Sequence, residues 1–319
     1  MEAVHLPNTN RLSVSPSLFK RLSFLALVGL SIIIVTGGAV RLTGSGLGCP
    51  DWPTCQGHQF VAQLSFHPLV EFINRVITIL MTLGVMGAVG ASLLRRPYRK
   101  DLVWLSMGLI IGLVAQIILG GITVLEKLAP PFVMAHFLLS QGIVANALVL
   151  YKRASTSDGS STRMVSKETI WLGRLMIVNL SAVLIVGTAV TGSGPHSGSP
   201  IAPRLPFPLK AVAELHADAV LFLIGLTVAS LFLLAATNAP DEVQRRGRAL
   251  LWIMAAQGAL GYIQYFSKLP AILVGFHIAG ATLVWIAMIW HYLGFFARPP
   301  EAQALARHEI GVESNLAKA

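Results

Sequence analysis

The chain has 319 residues, 54% of them hydrophobic and 12% charged, about half the charged share of a soluble domain. That excludes a water-soluble globule and a disordered chain. The formal charge of +10 comes from Lys and Arg spread between apolar blocks rather than gathered in one patch, so nucleic acid is set aside as a partner.

The apolar blocks are about 20 residues long, the length that crosses a bilayer core as a helix. In chain order the expected spans are 22–41, 70–93, 102–124, 131–151, 170–191, 210–236, 248–267 and 271–296. They leave an amino-terminal tail (1–21), two four-span halves (22–153 and 170–296), a linker (154–169) and a carboxy-terminal tail (297–319). The polar stretches 154–166 and 297–319 are expected to be flexible. Outside the spans, seventeen Lys and Arg fall on one side. The other side has five: Arg41, Lys127, Arg204, Lys210 and Lys268. The positive-inside rule then places both termini in the cytoplasm. The first span has the basic flank of a signal peptide, but its length and the lack of a small-residue cleavage site make it an anchor. No Arg- and Ser-rich extension precedes it. A multi-pass protein in the lipid bilayer of a bacterial plasma membrane is expected.

The two halves resemble each other. Thr43-Gly44-Ser45-Gly46 follows span one, and Thr191-Gly192-Ser193-Gly194 follows span five. Ala115-Gln116-x-x-Leu119-Gly120 returns 141 residues later as Ala256-Gln257-x-x-Leu260-Gly261, and His136 returns at the same offset as His277. His216 answers Asn74 at an offset of 142. Four spans is an even number, so both halves enter the membrane in the same sense, as a parallel repeat about an axis along the membrane normal. The fold class expected is an all-α polytopic membrane protein: eight transmembrane helices forming two parallel-repeat four-helix bundles.

Polar residues within spans are costly and mark function by default. Asn74, His136, His216 and His277 all lie roughly 6–11 Å below the outer face, each in an even-numbered span. Two imidazoles at one depth on facing helices suit bis-axial haem ligation. The second half offers the pair His216 and His277. The first offers His136 facing Asn74, whose amide is a poor iron ligand. One half is therefore expected to hold a permanent six-coordinate haem, and the other a site open at one axial position. The alternative is that these histidines only join helices by hydrogen bonds. His58, His67 and His196 fall in outer loops and are expected to be solvated, with His5 and His308 in the tails. His291 lies about 21 Å deeper than His277 without a histidine partner near the inner face, which argues against electron transfer across the membrane.

Glu71 and Arg75 form an i,i+4 pair opening span two, with Asn74 beside them. They read either as an ion pair at a span end or with Glu71 as a proton-handling carboxylate next to the open site. Glu214 and Asp218 flank His216 and are given no chemistry. Cys49 and Cys55 enclose a short outer loop in an oxidising compartment, which favours a disulfide; a free redox-active thiol pair is the rival. Covalent haem attachment through Cys-x-x-Cys-His, Walker loops and Rossmann loops are absent from the sequence.

Gly37-Gly38-Ala39-Val40-Arg41-Leu42-Thr43-Gly44-Ser45-Gly46-Leu47, followed by Cys49-Pro50-Asp51-Trp52-Pro53-x-Cys55-x-Gly57, resembles the first-loop signature of the bacterial-type haem A synthase family. Glu71-x-x-Asn74-Arg75, Leu119-Gly120-Gly121-Ile122-Thr123-Val124, His136, Leu215-His216-x-Asp218 and His277 continue the likeness from about residue 20 to 296. The resemblance implies an oxidoreductase that converts the position-8 methyl of haem O to a formyl group, by successive hydroxylations to a gem-diol and loss of water. Haem A for cytochrome oxidase assembly would be the product. It also implies haem b as cofactor on His216 and His277, haem O received at His136 with Arg75 and Asn74 nearby, Glu71 at the essential acidic position, and a haem O synthase as partner. The cysteine pair matches a loop pair associated with a disulfide near the substrate. The family commonly has His where this chain has Asn74, so Asn74 would leave a coordination site open, hold a water or donate a hydrogen bond. The second half lacks the cysteine pair that some members carry there. The rival readings are a one-sided b-type cytochrome relay, a transporter and an oxidase-assembly scaffold. A homo-oligomer is compatible with all of them.

Overall fold

The computed structural model describes residues 13–57 and 59–298. His5, His58 and His308 lie outside the described residues, as do most of the two tails. Eight helices occupy the described chain: α1 Pro16–Leu42, α2 Phe66–Leu94, α3 Lys100–Leu125, α4 Pro130–Ala154, α5 Lys167–Ser193, α6 Leu209–Ala236, α7 Asp241–Phe266 and α8 Ala271–Leu293. At 1.5 Å per residue they are about 35–43 Å long, enough for a bilayer core of ~30 Å.

Their starts follow from local chemistry. The Ser15 hydroxyl accepts from Leu18 N (3.2 Å) ahead of Pro16, and the Ser166 hydroxyl accepts from Thr169 N (3.2 Å) to open α5. Proline also opens α4 and precedes α6, α7 and α8. Seven of the helices are long and apolar enough to cross a membrane. The exception is α7, whose first two turns carry Asp241, Glu242, Arg245, Arg246 and Arg248 and whose later turns carry Gln257 and Gln264. Large apolar side chains face outward along the bundle, among them Trp104, Trp252 and Phe232, as expected where the surroundings are lipid. This is a multi-pass membrane protein.

Within the first half α1 packs on α2 and α4, α2 on α3, and α3 on α4. The second half repeats the scheme: α5 packs on α6 and α8, α6 on α7, and α7 on α8. The halves meet where α1 and α4 touch α8 and α4 touches α5. At that seam Gln141 Nε2 donates to Thr282 Oγ1 (3.0 Å), and these two residues are themselves 141 apart. The indole of Trp285 donates to the Gln141 carbonyl (2.9 Å).

The turns repeat as well. Lys127 and Leu128 close α3 with φ of 52° and 62°, and Lys268 and Leu269 close α7 with φ of 64° and 58°. Two consecutive left-handed non-glycine residues cost on the order of 1–2 kcal/mol each. They are offset by Leu128 N donating to Thr123 O (2.8 Å) and Leu269 N to Gln264 O (2.7 Å), which satisfy helix-end carbonyls.

At the end opposite the cysteine loop, Arg99 and Arg153 converge on Asp101 (2.7 and 2.5 Å), and Arg99 also donates to the Thr156 carbonyl. The 154–166 stretch, expected to be flexible from its polar composition, is tied down. Its β1 (Thr162–Arg163) pairs antiparallel with β2 (Phe296–Ala297), and Met164 N donates to Phe295 O (2.9 Å). Apart from two isolated bridges, Val14 with Arg95 and Gln56 with Gln59, this small ribbon is the departure from an all-helical chain among the described residues.

Candidate functional site

His136, His216 and His277 lie six or seven residues after the first residues of α4, α6 and α8, and Asn74 lies eight after the first of α2. That is about 9–12 Å along each axis, close to the depth the sequence gives. The rings of His216 and His277 face each other with centroids 6.4 Å apart and planes at 67°. His216 Nδ1 lies 3.1 Å from the Val183 carbonyl. A carbonyl only accepts, so Nδ1 carries the proton and the Nε2 lone pair is left for another partner. A metal–imidazole bond of about 2 Å on each side, plus the ring radii, places two axial imidazoles with centroids about 6 Å apart. Among the described residues no three His, Cys, Asp or Glu side chains gather as a metal cluster. The donor set is a pair, which suits a metal already held in a planar macrocycle.

Each histidine rests on a glycine of the preceding helix. A Cβ on Gly187 would come within 3.0 Å of His216 Cε1, one on Gly261 within 3.2 Å of His277 Cε1, and one on Gly120 within 3.3 Å of His136 Cε1. The carbonyl of His277 accepts from Gln257 Nε2 (2.8 Å), and that of His136 accepts from Gln116 Nε2 (2.9 Å). The repeated Ala-Gln-x-x-Leu-Gly sequence therefore serves its histidine twice, once through the Gln amide and once through the space above the Gly. Sequence reading found this repeat but not its role, because the contact lies between helices; the shared 141 offset of Gln, Gly and His was the available signal.

In the first half, Asn74 Oδ1 and His136 Nδ1 are buried and have no hydrogen-bond partner among the described residues. Thr78 Oγ1 donates to the Asn74 carbonyl (2.8 Å). Cys49 and Cys55 are joined as a disulfide, which bears out the expected pairing over the free thiols. The loop they close is held by α2. Glu71, 5% exposed, accepts from Cys49 N at Oε2 (2.8 Å) and from Arg75 Nη2 at Oε1 (2.7 Å). The Arg75 guanidinium also donates to the carbonyls of Cys49 (3.0 Å), Asp51 (3.2 Å) and Thr54 (2.9 Å). The i,i+4 ion pair is thus present and doubles as a clasp on the loop. The Trp52 indole lies against α3, where a Cβ on Gly121 would be 2.9 Å from its Cδ2. Gly121 adjoins Gly120, on which His136 rests. A cavity of about 350 Å³ opens between this loop and Leu125.

Two histidines expected in solvated outer loops differ from that expectation, and one of them, His67, is the second residue of α2 rather than a loop residue. His196 donates from Nε2 to Leu269 O (2.8 Å), and its own carbonyl accepts from Arg41 Nε (2.7 Å). Arg41 also donates to Thr191 O (2.9 Å), and Gly46 N to Gly198 O (2.9 Å), so the loop ends of the two halves are knitted together. His67 is exposed but pairs with Ser45 Oγ at 3.0 Å. His291 sits at the basic end, 1% exposed, edge-on to Phe295 and against Gly247, with no histidine alongside among the described residues.

Residues 20–65 match a family model described as cytochrome oxidase assembly protein. A Heme A synthase of Shewanella oneidensis is 27% identical over 317 residues, covering 84% of this chain and 95% of that protein. A Heme A synthase of Bacillus licheniformis is 23% identical over 294 residues, 83% of this chain and 91% of that protein. A Protoheme IX farnesyltransferase of Halobacterium salinarum is 32% identical over 149 residues, which are 46% of this chain and 31% of that protein's length. The family-model match lies across α1 and the cysteine loop, and the two Heme A synthases align with most of this chain at 23–27% identity.

Proposed function

We propose that the chain is a haem A synthase that oxidises the position-8 methyl of haem O to a formyl group, with haem b as its resident cofactor. The observation that carries this reading is an asymmetry between two otherwise matching halves. The second half has a complete histidine pair at 6.4 Å. The first has His136, Asn74 in place of the second histidine, and a clasped disulfide loop. At the offset of 142 the positions of Glu71 and Arg75 are Ala213 and Ala217, so the carboxylate and its guanidinium occur only in the first half.

The residues of the second half fit a bis-histidine haem, and a haem bound there supplies one-electron transfer. Val183 O fixes the tautomer of His216, and Gly187, Gly261 and Gln257 hold the two rings in place. In the first half His136 would hold the iron of the substrate haem O, and Asn74, whose amide is a poor iron ligand, would not compete for it. Glu71 supplies the carboxylate beside the substrate, Arg75 neutralises and aims it, and the disulfide loop with Trp52 shields that half from water. The repeated packing scheme and the Gln141–Thr282 contact support two parallel-repeat four-helix bundles. The excess of Lys and Arg at the end bearing β1 and β2 supports cytoplasmic termini in a bacterial plasma membrane. A haem O synthase supplies the substrate, and cytochrome oxidase assembly consumes the product.

The test is chromatography of haems extracted from membranes that express the chain with a haem O synthase, beside Glu71→Ala and a strain lacking the chain. Haem A, or its hydroxylated precursor, is expected only with the intact protein. Unchanged haem O beside co-purifying haem b would refute the synthase reading and favour a relay cytochrome.

A further inference from the structure

A cavity of about 550 Å³ opens at the disulfide end of the second half, with Ser193, Arg204, Leu209, Tyr265 and Lys268 in its wall. Its charge is unbalanced. Of the cations at this end, Arg41 is spent on two carbonyls, Arg75 pairs with Glu71 and the cysteine loop, Lys210 pairs with Glu214 (3.7 Å), and Lys127 belongs to the first half. Arg204 and Lys268 share the cavity, and among the described residues neither has a carboxylate partner. Arg204 is steadied by one bond, Nη2 to Pro195 O (2.9 Å), which leaves its other nitrogens available. Lys268 is set by its left-handed backbone and by donating its N–H to Tyr265 O (3.1 Å). Ser193 Oγ is buried without a hydrogen-bond partner among the described residues. Two cations and an unsatisfied hydroxyl in one concavity favour an anion.

The location indicates which anion. Ser193 follows Gly187 by six residues on α5, Leu209 precedes His216 by seven on α6, and Lys268 follows Gly261 by seven at the end of α7. The cavity therefore stands about 9–10 Å above the level of the histidine pair, on α5, α6 and the turn after α7, the elements that supply Gly187, His216 and Gly261. A haem carries two carboxylates along one edge. We propose that this cavity binds the two propionates of the haem held by His216 and His277, with Arg204 and Lys268 as the counter-charges. The inference rests on the reading of the second half as a haem site. The cavity beside the cysteine loop of the first half is lined differently, by Asp51, Trp52, Pro53, Thr54 and Leu125, with no cation in its wall, and the acidic side chain disfavours a carboxylate there. The resident haem is thus gripped at both axial and propionate positions, whereas the substrate haem is left free to leave.

The test uses purified holoprotein, comparing wild type with the Arg204→Gln/Lys268→Gln double variant. Haem transfer to excess apomyoglobin is expected to be about fivefold faster in the double variant, the size of effect an exposed charge pair provides. The haem midpoint potential should fall, because losing two nearby cations favours the ferric form, while the low-spin spectrum persists. Charge-preserving Arg204→Lys/Lys268→Arg should restore both values. Unchanged transfer rate and potential with an intact spectrum would overturn the proposal. So would a wild-type potential that shifts with added inorganic phosphate while the double variant does not, since the cavity would then take an external anion. His216→Ala tests the underlying reading separately: a low-spin spectrum that survives it removes the haem from this half, whatever the cavity does.

Discussion

Gly187→Ala probes the histidine cradle without touching a ligand. The added methyl would lie 3.0 Å from His216 Cε1 and 3.3 Å from Nδ1, so the ring must give way by a few tenths of an ångström. A side chain pushed off its rotamer costs about 0.5–1.5 kcal/mol. Stretching the bond from Nδ1 to Val183 O, 3.1 Å at rest, loses about another 1 kcal/mol. Together these come to about 2 kcal/mol, or a roughly 30-fold loss of haem affinity. Outer partners of metal ligands typically matter by about 10–100-fold, so the figure is of the expected size. Alanine is itself the better helix former by about 1 kcal/mol, so a loss cannot come from the helix backbone. The assay is the rate of haem transfer from holoprotein to excess apomyoglobin. Gly225→Ala on α6, where a Cβ meets nothing within 4 Å, is the control and should behave as wild type. Wild-type haem retention in Gly187→Ala would refute the cradle.

Other perturbations separate the parts of the first half. Arg75→Ala releases the carbonyls of Cys49, Asp51 and Thr54 together with Glu71; hydrogen exchange across residues 49–57 should rise at least tenfold and haem A formation should fall at least as far. Arg75→Lys is expected to rescue little, because one ammonium cannot serve the carboxylate and three carbonyls as the planar fork does. Gly121→Ala pushes Trp52 off α3, and should raise exchange in the same loop while leaving the low-spin spectrum of the second half unchanged. Asn74→His completes a second histidine pair; with haem bound in the first half, the low-spin signal should approach twice that of wild type.

The spans could be read from sequence because the signal is local: length and hydropathy in one stretch of chain decide whether a helix can cross a bilayer. For α7 the charged opening turns and two glutamines blur that signal: the helix begins at Asp241, seven residues before the expected span 248–267, and by composition falls short of a membrane span, although its Gln257 and Gly261 answer Gln116 and Gly120. The site was legible as a set of residues at one depth, and the His216–His277 contact follows from that. What the sequence did not carry were contacts between separate helices: the glycines beneath the rings, Val183 O on His216, and the Arg75 clasp on the loop. His196 looked like a solvated loop residue because its partner, Leu269 O, lies 73 positions away. The linker looked loose for the same reason, its strand partner being at Phe296–Ala297.

The two halves divide the labour, and haem analysis of a variant that disables one of them tests this. Haems would be extracted and separated from purified wild-type and His216→Ala protein, each expressed with a haem O synthase. Wild type should yield haem b together with haem A or its hydroxylated precursor. His216→Ala should lose haem b, retain haem O and form no haem A. Full haem b in His216→Ala, or haem A formed without it, would contradict a division of labour between the halves.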